Sequence, residues 1–68
     1  MDSTEIQYCL KKARTSQAEI ARQCKVSKVT VGYVVAGITT SRRIATAISE
    51  ATGIPLETLF PGRYPSRG

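Results

Sequence analysis

The sequence QAEIARQCKVSKVTVGYVVAG, residues 17–37, decides the fold of this 68-residue chain. Its apolar residues fall where two short crossing helices need packing partners, at Ile20, Ala21, Cys24, Val26, Val31 and Val34. Polar and small side chains lie between them, and those from Lys28 to Tyr33 are expected to face outwards from the second helix. The spacing predicts a helix, a tight turn and a second, exposed helix that follow one another without interruption.

Capping residues mark the ends of both helices of this motif. The sequence SQAE at residues 16–19 is a capping box, and the helix that it starts is expected to end near Gln23. Ser27 caps the second helix, which runs to about Ala36 and stops at Gly37, a residue suited to left-handed backbone. The β-branched valines of this segment favour a strand by propensity. We predict a helix because the caps and the packing frame agree, and tertiary context overrides propensity.

One predicted helix precedes the motif. Thr4 and Gln7 form a capping box, and apolar residues recur on one face from about Glu5 to Arg14. The basic residues of its last turn suit the negative end of the helix dipole.

Two predicted helices follow the motif. Thr40 or Ser41 caps residues 41–52, SRRIATAISEAT, whose inward face carries apolar residues at helical spacing and which stops at the glycine that follows. Proline at position 55 fits the first turn of a short helix from Leu56 to Phe60.

The predicted fold class is all-α, a compact bundle of about five short helices that contains a helix-turn-helix. With 68 residues the chain has room for one domain, for which we expect an ordered core at about residues 4–60 and an extended tail at 61–68. Aromatic residues are few, so the expected core is aliphatic: Ile6, Leu10, Ile20, Val26, Val31, Val34, Val35, Ile44, Ile48, Leu56 and Leu59.

Charge is distributed unevenly along the chain. Ten Lys and Arg residues against five Asp and Glu give a net charge of +5. Residues 20–49 contain basic side chains and no acidic one. A one-sided basic surface of this kind is expected of a protein that neutralises phosphates.

Other classes of function find little support in the sequence. The chain has no histidine, no acid pair in an identifiable cleft and no phosphate loop, which argues against an enzyme, a catalytic residue or a small-molecule substrate. Cys9 and Cys24 are too few for a metal site and are expected to be free thiols, and no cofactor is indicated. No apolar run reaches membrane-spanning length and no signal peptide is evident, so we expect a cytoplasmic protein with no membrane partner.

The motif resembles the helix-turn-helix of the phage Cro/CI-type repressor superfamily, which has the lambda repressor-like fold. The resembling positions are Gln17, Ala21, Val26, Ser27, Val31, Val34 and Gly37, and the likeness extends over roughly residues 4–60. The sequence departs from the family pattern at Lys25, where the turn usually holds glycine, so a lysine with positive φ is expected there. The ending LFPGRY, residues 59–64, also looks like the tail of small phage Ner-type regulators.

The resemblance implies a partner and a set of contacts. Double-stranded DNA would receive the second motif helix, residues 27–36, in its major groove. Base contacts are expected from Ser27, Lys28, Val29, Thr30 and Tyr33. Contacts with the DNA backbone are expected from Ser16, Gln17, Arg22, Lys25, Arg42 and Arg43. The mid-helix Gly32 has two open explanations, close approach to DNA or close approach to another helix.

The predicted function is that of a small phage or prophage transcriptional regulator, a repressor that binds specific DNA sequences in the cytoplasm of a bacterial host. An excisionase or architectural DNA-bending protein of the same fold is one alternative. An antitoxin-like protein-interaction module is an alternative of another class. Repressors of this type often pair on two half-sites, so a homodimer or several copies on DNA are expected.

Overall fold

A computed structural model describes residues 1–64 of the chain, and these form five α-helices and no strand. The helices are α1 (Ser3–Lys12), α2 (Gln17–Cys24), α3 (Lys28–Ala36), α4 (Arg42–Thr52) and α5 (Leu56–Leu59). The predicted all-α class and helix number are confirmed. Residues 65–68, the end of the predicted tail, lie outside the described residues.

Helix α1 begins and ends earlier than predicted. Asp2 is its cap: the Asp2 carboxylate accepts the Glu5 N–H at 2.9 Å, and the Glu5 carboxylate accepts the Asp2 N–H at 3.0 Å. The capping box predicted at Thr4 was therefore wrong, because Asp2 supplies the same chemistry half a turn earlier. The helix ends at Lys12 because Arg14 takes a left-handed conformation with φ 62°.

The N-caps of the central helices are the predicted serines, but the capping box predicted at residues 16–19 is only half formed, because the Glu19 carboxylate pairs with Arg22 and not with the Ser16 N–H. Ser16, Ser27 and Ser41 each place a hydroxyl to accept the backbone N–H three residues on, as the N-caps of α2, α3 and α4. Gly37 and Gly53 end α3 and α4 with φ values of 83° and 74°. These caps satisfy backbone groups that the helices leave unpaired at their ends.

Helix α4 supports the other elements, since α1, α2, α3 and α5 all pack against it. The core between them is aliphatic, as predicted, with two corrections: Val26 and Leu56 are only partly buried. Small and aromatic residues complete it. The buried residues are Ile6, Leu10, Ile20, Ala21, Cys24, Val31, Val34, Val35, Ile44, Ala45, Ile48, Leu59 and Phe60.

The two ends of the described chain pack onto this core. The Met1 ammonium donates to the carbonyls of Thr58 and Leu59 at 3.1 and 3.3 Å, at the end of α5. Residues 61–64 form a turn, with the Arg63 N–H donating to the Phe60 carbonyl at 3.2 Å. The extended conformation predicted for the tail is therefore wrong for these four residues.

Candidate nucleic-acid interface

Helices α2 and α3 pack against each other on either side of a short turn. Lys25 ends α2 in the left-handed conformation, with φ 59° and ψ 44°, as predicted. Its backbone N–H donates to carbonyls of α2, and the Val26 N–H donates to the Ala21 carbonyl at 3.0 Å. This tight turn fixes the direction of α3 relative to α2, which is the geometry of a helix-turn-helix.

Helix α3 buries one side and exposes the other. Val31, Val34 and Val35 are in the core, whereas Val29 and Tyr33 are 60% and 48% exposed. Val29 and Tyr33 are four residues apart and share a helix face. Lys28 is also exposed, in the first turn of α3. The outer face thus combines a flexible cation with apolar groups, which suits contact with base edges and thymine methyl groups in a major groove.

The start of α3 carries a small hydroxyl network. Ser27 Oγ accepts the Thr30 N–H at 3.1 Å and lies 2.9 Å from Thr30 Oγ1. The Ser27 hydroxyl therefore acts as the helix cap, and Thr30 is held half-buried beside it. A base contact from Ser27 stays a prediction, and it would have to share the hydroxyl with this cap.

Gly32 lies at the α2–α3 contact. A Cβ built there would meet Gln17 Oε1 at 3.5 Å, an ordinary van der Waals distance, as its nearest neighbour. Close packing against another helix therefore does not require glycine at this position. The same distance places the end of the Gln17 side chain, on α2, beside Gly32 of α3.

A shallow depression lies where the end of α1 meets the starts of α2 and α3. It is lined by Gln7, Leu10, Lys11, Thr15, Ser16, Gln17 and Lys28. Two lysines and the N-terminus of α2 thus face one space, and cations and a helix N-terminus both favour an anion. Lys11 was absent from the predicted contacts. Its basic character was visible in the sequence, but the approach of α1 to α3 was not.

The three arginines among the predicted contacts with the DNA backbone have partners within the protein. The Arg22 guanidinium pairs with the Glu19 carboxylate at 3.1 Å on the exposed face of α2. The Arg43 guanidinium donates to the Cys24 carbonyl at the end of α2. The Arg42 guanidinium lies 6.0 Å from the centre of the Tyr64 ring. These arginines lie outside α3, as do Ser16 and Lys25: Ser16, Arg22 and Lys25 lie at the ends of α2 or within it, and Arg42 and Arg43 begin α4.

The described residues add two findings on other kinds of site. Residues 1–64 contain no cluster of three metal-ligating side chains, and both cysteines are free. No helix within the same residues is long and apolar enough to cross a membrane.

A tight left-handed turn joins α2 to α3, α3 exposes one side, and basic side chains lie on α2, α3 and α4, which is the arrangement of a DNA-binding helix-turn-helix protein. The helix-turn-helix family model HTH_3 matches residues 6–59, most of the chain. The chain belongs to this Cro/CI-type family of DNA-binding transcriptional regulators. Comparison with curated proteins and with solved structures gave no match.

Proposed function

We propose that this chain is a small phage or prophage repressor that binds specific sites on double-stranded DNA in a bacterial host, as a homodimer or as several copies. The observation that carries the proposal is the outer face of α3, where Lys28, Val29 and Tyr33 are exposed beside Gln17 of α2. A helix with these side chains suits the major groove, and in the proposed complex the start of α2 meets the adjacent DNA backbone.

The side chains divide into two roles. On α3, Lys28 donates to guanine acceptors, Val29 and the Thr30 methyl meet thymine methyl groups, and Tyr33 contacts a base or its phosphate. Gly32 lets the backbone of α3 approach the groove, since no packing contact requires a glycine there. Around this face the DNA backbone is held by Ser16, Gln17, Arg22, Lys25, Arg42 and Arg43. Lys11 joins them because it lines the same depression as Gln17 and Lys28.

A salt titration tests the electrostatic part of the proposal. Binding to duplex DNA should weaken steeply with salt, with a slope of log K against log salt of about −0.9 for each phosphate contact. Lys25→Gln should reduce the magnitude of the slope by about 0.9. Lys12→Gln is the matched control, because Lys12 faces a separate groove with Ala13, Thr52 and Ile54. An affinity that does not change with salt for any duplex would contradict the proposed phosphate contacts.

Selection from a random duplex pool tests the sequence-specific part. Lys28→Ala should relax preference at one or two base pairs at a cost of roughly 1–3 kcal/mol, whereas Lys25→Gln should weaken all sequences alike. Uniform weakening by both variants would make Lys28 a phosphate contact.

Footprinting of the selected sites tests the biological role. Two half-sites about one helical turn apart are expected for a dimeric repressor. Repeated sites with strong DNA bending would point instead to an excisionase or architectural protein. No enrichment of any duplex would point to a protein-interaction module.

A further inference from the structure

The turn at residues 61–64 is fixed to the core rather than free of it. The Tyr64 ring packs edge-on against Phe60, with ring centres 5.4 Å apart and planes at 72°. Phe60 is itself buried, and Tyr64 is partly buried against the same core cluster. This edge-to-face arrangement is the favoured geometry for an aromatic pair. The tail therefore has a defined position on the molecule as far as Tyr64.

Tyr64 also reaches the loop between α3 and α4. Its hydroxyl oxygen accepts the Ser41 N–H at 2.9 Å, across 23 residues of sequence. Ser41 is the cap of α4, and its own hydroxyl accepts the Ile44 N–H at 3.3 Å. The face of the Tyr64 ring lies 6.0 Å from the Arg42 guanidinium, within reach of a cation–π contact. One side chain thus contacts both the cap and the first residue of α4.

Arg63 contacts the other end of the same loop. A Cβ added to Gly37 would lie 2.8 Å from Arg63 Cζ, so the guanidinium sits directly over this glycine. Gly37 ends α3 in the left-handed conformation, where the helix leaves carbonyls at its negative end. A cation is favourable in that place. Together, Arg63 and Tyr64 hold the loop at Gly37 and at Ser41.

We infer that residues 61–64 position the loop 37–41 and Arg42 for contact with the DNA backbone, and that Tyr64 is a positioning residue of the interface. The inference rests on the proposed function, in which Arg42 contacts a phosphate. If residues 61–64 were removed, Ser41 would still cap α4, but the loop would lose its contacts with Arg63 and Tyr64, which connect it to Phe60 at the end of α5. A loop that must be ordered on binding lowers affinity, because part of the binding energy goes into restricting it.

Tyr64→Phe isolates the hydroxyl, because it keeps the ring on Phe60 and beside Arg42. In the free protein, hydrogen exchange at the Ser41 amide should become faster, since this amide loses its acceptor. Affinity for duplex DNA should fall by about 2- to 10-fold, the range that one hydrogen bond supports. The loss should be the same for all sequences, because the loop holds the backbone and not the bases. Tyr8→Phe, on the exposed face of α1, is the control and should change neither quantity.

Coupling to Arg42 separates positioning from general stability. Tyr64→Leu should weaken binding and reduce the salt slope, while the same change made in an Arg42→Gln background should have a smaller effect on affinity. All affinities are measured at a temperature where each variant is fully folded. A tail that only stabilises the fold would lower the melting temperature and leave these affinities unchanged.

The outcomes distinguish this inference from the proposed function. Absence of DNA binding by the unaltered protein overturns the proposed function, and the inference that rests on it, whatever the Ser41 exchange shows. Normal DNA binding with unchanged affinity in Tyr64→Phe and Tyr64→Leu overturns the positioning role alone. Faster Ser41 exchange together with weaker, sequence-independent and Arg42-coupled binding supports it.

Discussion

Lys25 holds the turn between α2 and α3 in a left-handed conformation that side chains other than glycine adopt at a cost. Between Gln17 and Gly37, Lys25 is the one non-glycine residue with a positive φ, so the backbone strain of the motif lies at this residue. Lys25 is exposed, so its side chain is available for the proposed contact with the DNA backbone.

Replacement of this lysine tests the turn directly. Lys25→Gly should leave the free energy of unfolding unchanged or raise it by up to about 1 kcal/mol, because relief of strain opposes the greater freedom of glycine in the unfolded chain. Denaturant unfolding measures it. Gln23→Gly, inside α2, is the control and should cost about 0.5–1 kcal/mol. A clear loss of stability in Lys25→Gly would contradict the left-handed conformation.

Thr15 is a second residue that lowers the stability of the fold. Its side-chain oxygen is buried and has no hydrogen-bond partner among residues 1–64. Thr15→Val keeps the shape and removes the hydroxyl, so the free energy of unfolding should rise by about 1 kcal/mol. Thr52→Val is the matched control and should destabilise, because Thr52 Oγ1 donates to the Ile48 carbonyl at 2.8 Å. A lower melting temperature in Thr15→Val would show that the hydroxyl has a partner in solution.

At the scale of the element, α3 is a helix in spite of its composition. Its valines favour a strand, but Ser27 caps its start, Gly37 ends it, and three valines fill the core from one side. Burial of this face outweighs the propensity of the residues. Gly32 lowers the stability of α3, since glycine within a helix is unfavourable.

Gly32→Ala separates the stability of α3 from its function. The added methyl group meets Gln17 Oε1 at an ordinary contact distance, so the free energy of unfolding should rise by about 1 kcal/mol. DNA affinity should fall if the backbone of α3 lies against the groove. Gly53→Ala is the control: its surroundings are open, but its φ of 74° disfavours alanine, and stability should fall. A Gly32→Ala variant with higher stability and unchanged affinity would remove close approach as the reason for this glycine.

At the scale of the whole molecule, long-range contacts tie the motif to its support. The Arg43 guanidinium, on α4, donates to the Cys24 carbonyl just before the turn. This contact satisfies a carbonyl that α2 leaves unpaired, at the end of the helix where a cation is favoured. Arg43 therefore serves the fold as well as any contact with phosphate.

The double role of Arg43 gives a prediction with two readouts. Arg43→Ala should lower the free energy of unfolding by about 1 kcal/mol through the lost hydrogen bond, and should weaken binding to all duplexes alike. Arg22→Ala is the control for stability, since the exposed Arg22–Glu19 pair contributes little. Unfolding measured by denaturant, beside a salt titration, separates the effects. Weaker binding with unchanged stability would make Arg43 a phosphate contact alone.

The sequence by itself determined the local structure of the motif. Ser16, Ser27 and Gly37 set the ends of its helices through chemistry within four residues, and the spacing of apolar residues gave the buried face of α3. The left-handed Lys25 also followed from the family pattern. Such features depend on neighbours along the chain, which a sequence displays.

Only the tertiary structure decided which distant residues meet. Lys11 lies in the depression with Lys28, Arg43 donates to Cys24, and Tyr64 accepts from Ser41 because the packing of α1, α4 and the tail brings them together. No pattern in the sequence predicts that these residues meet. Each contact depends on how whole helices cross, and a helix crossing is set by the combined shape of many buried side chains, which no local pattern records.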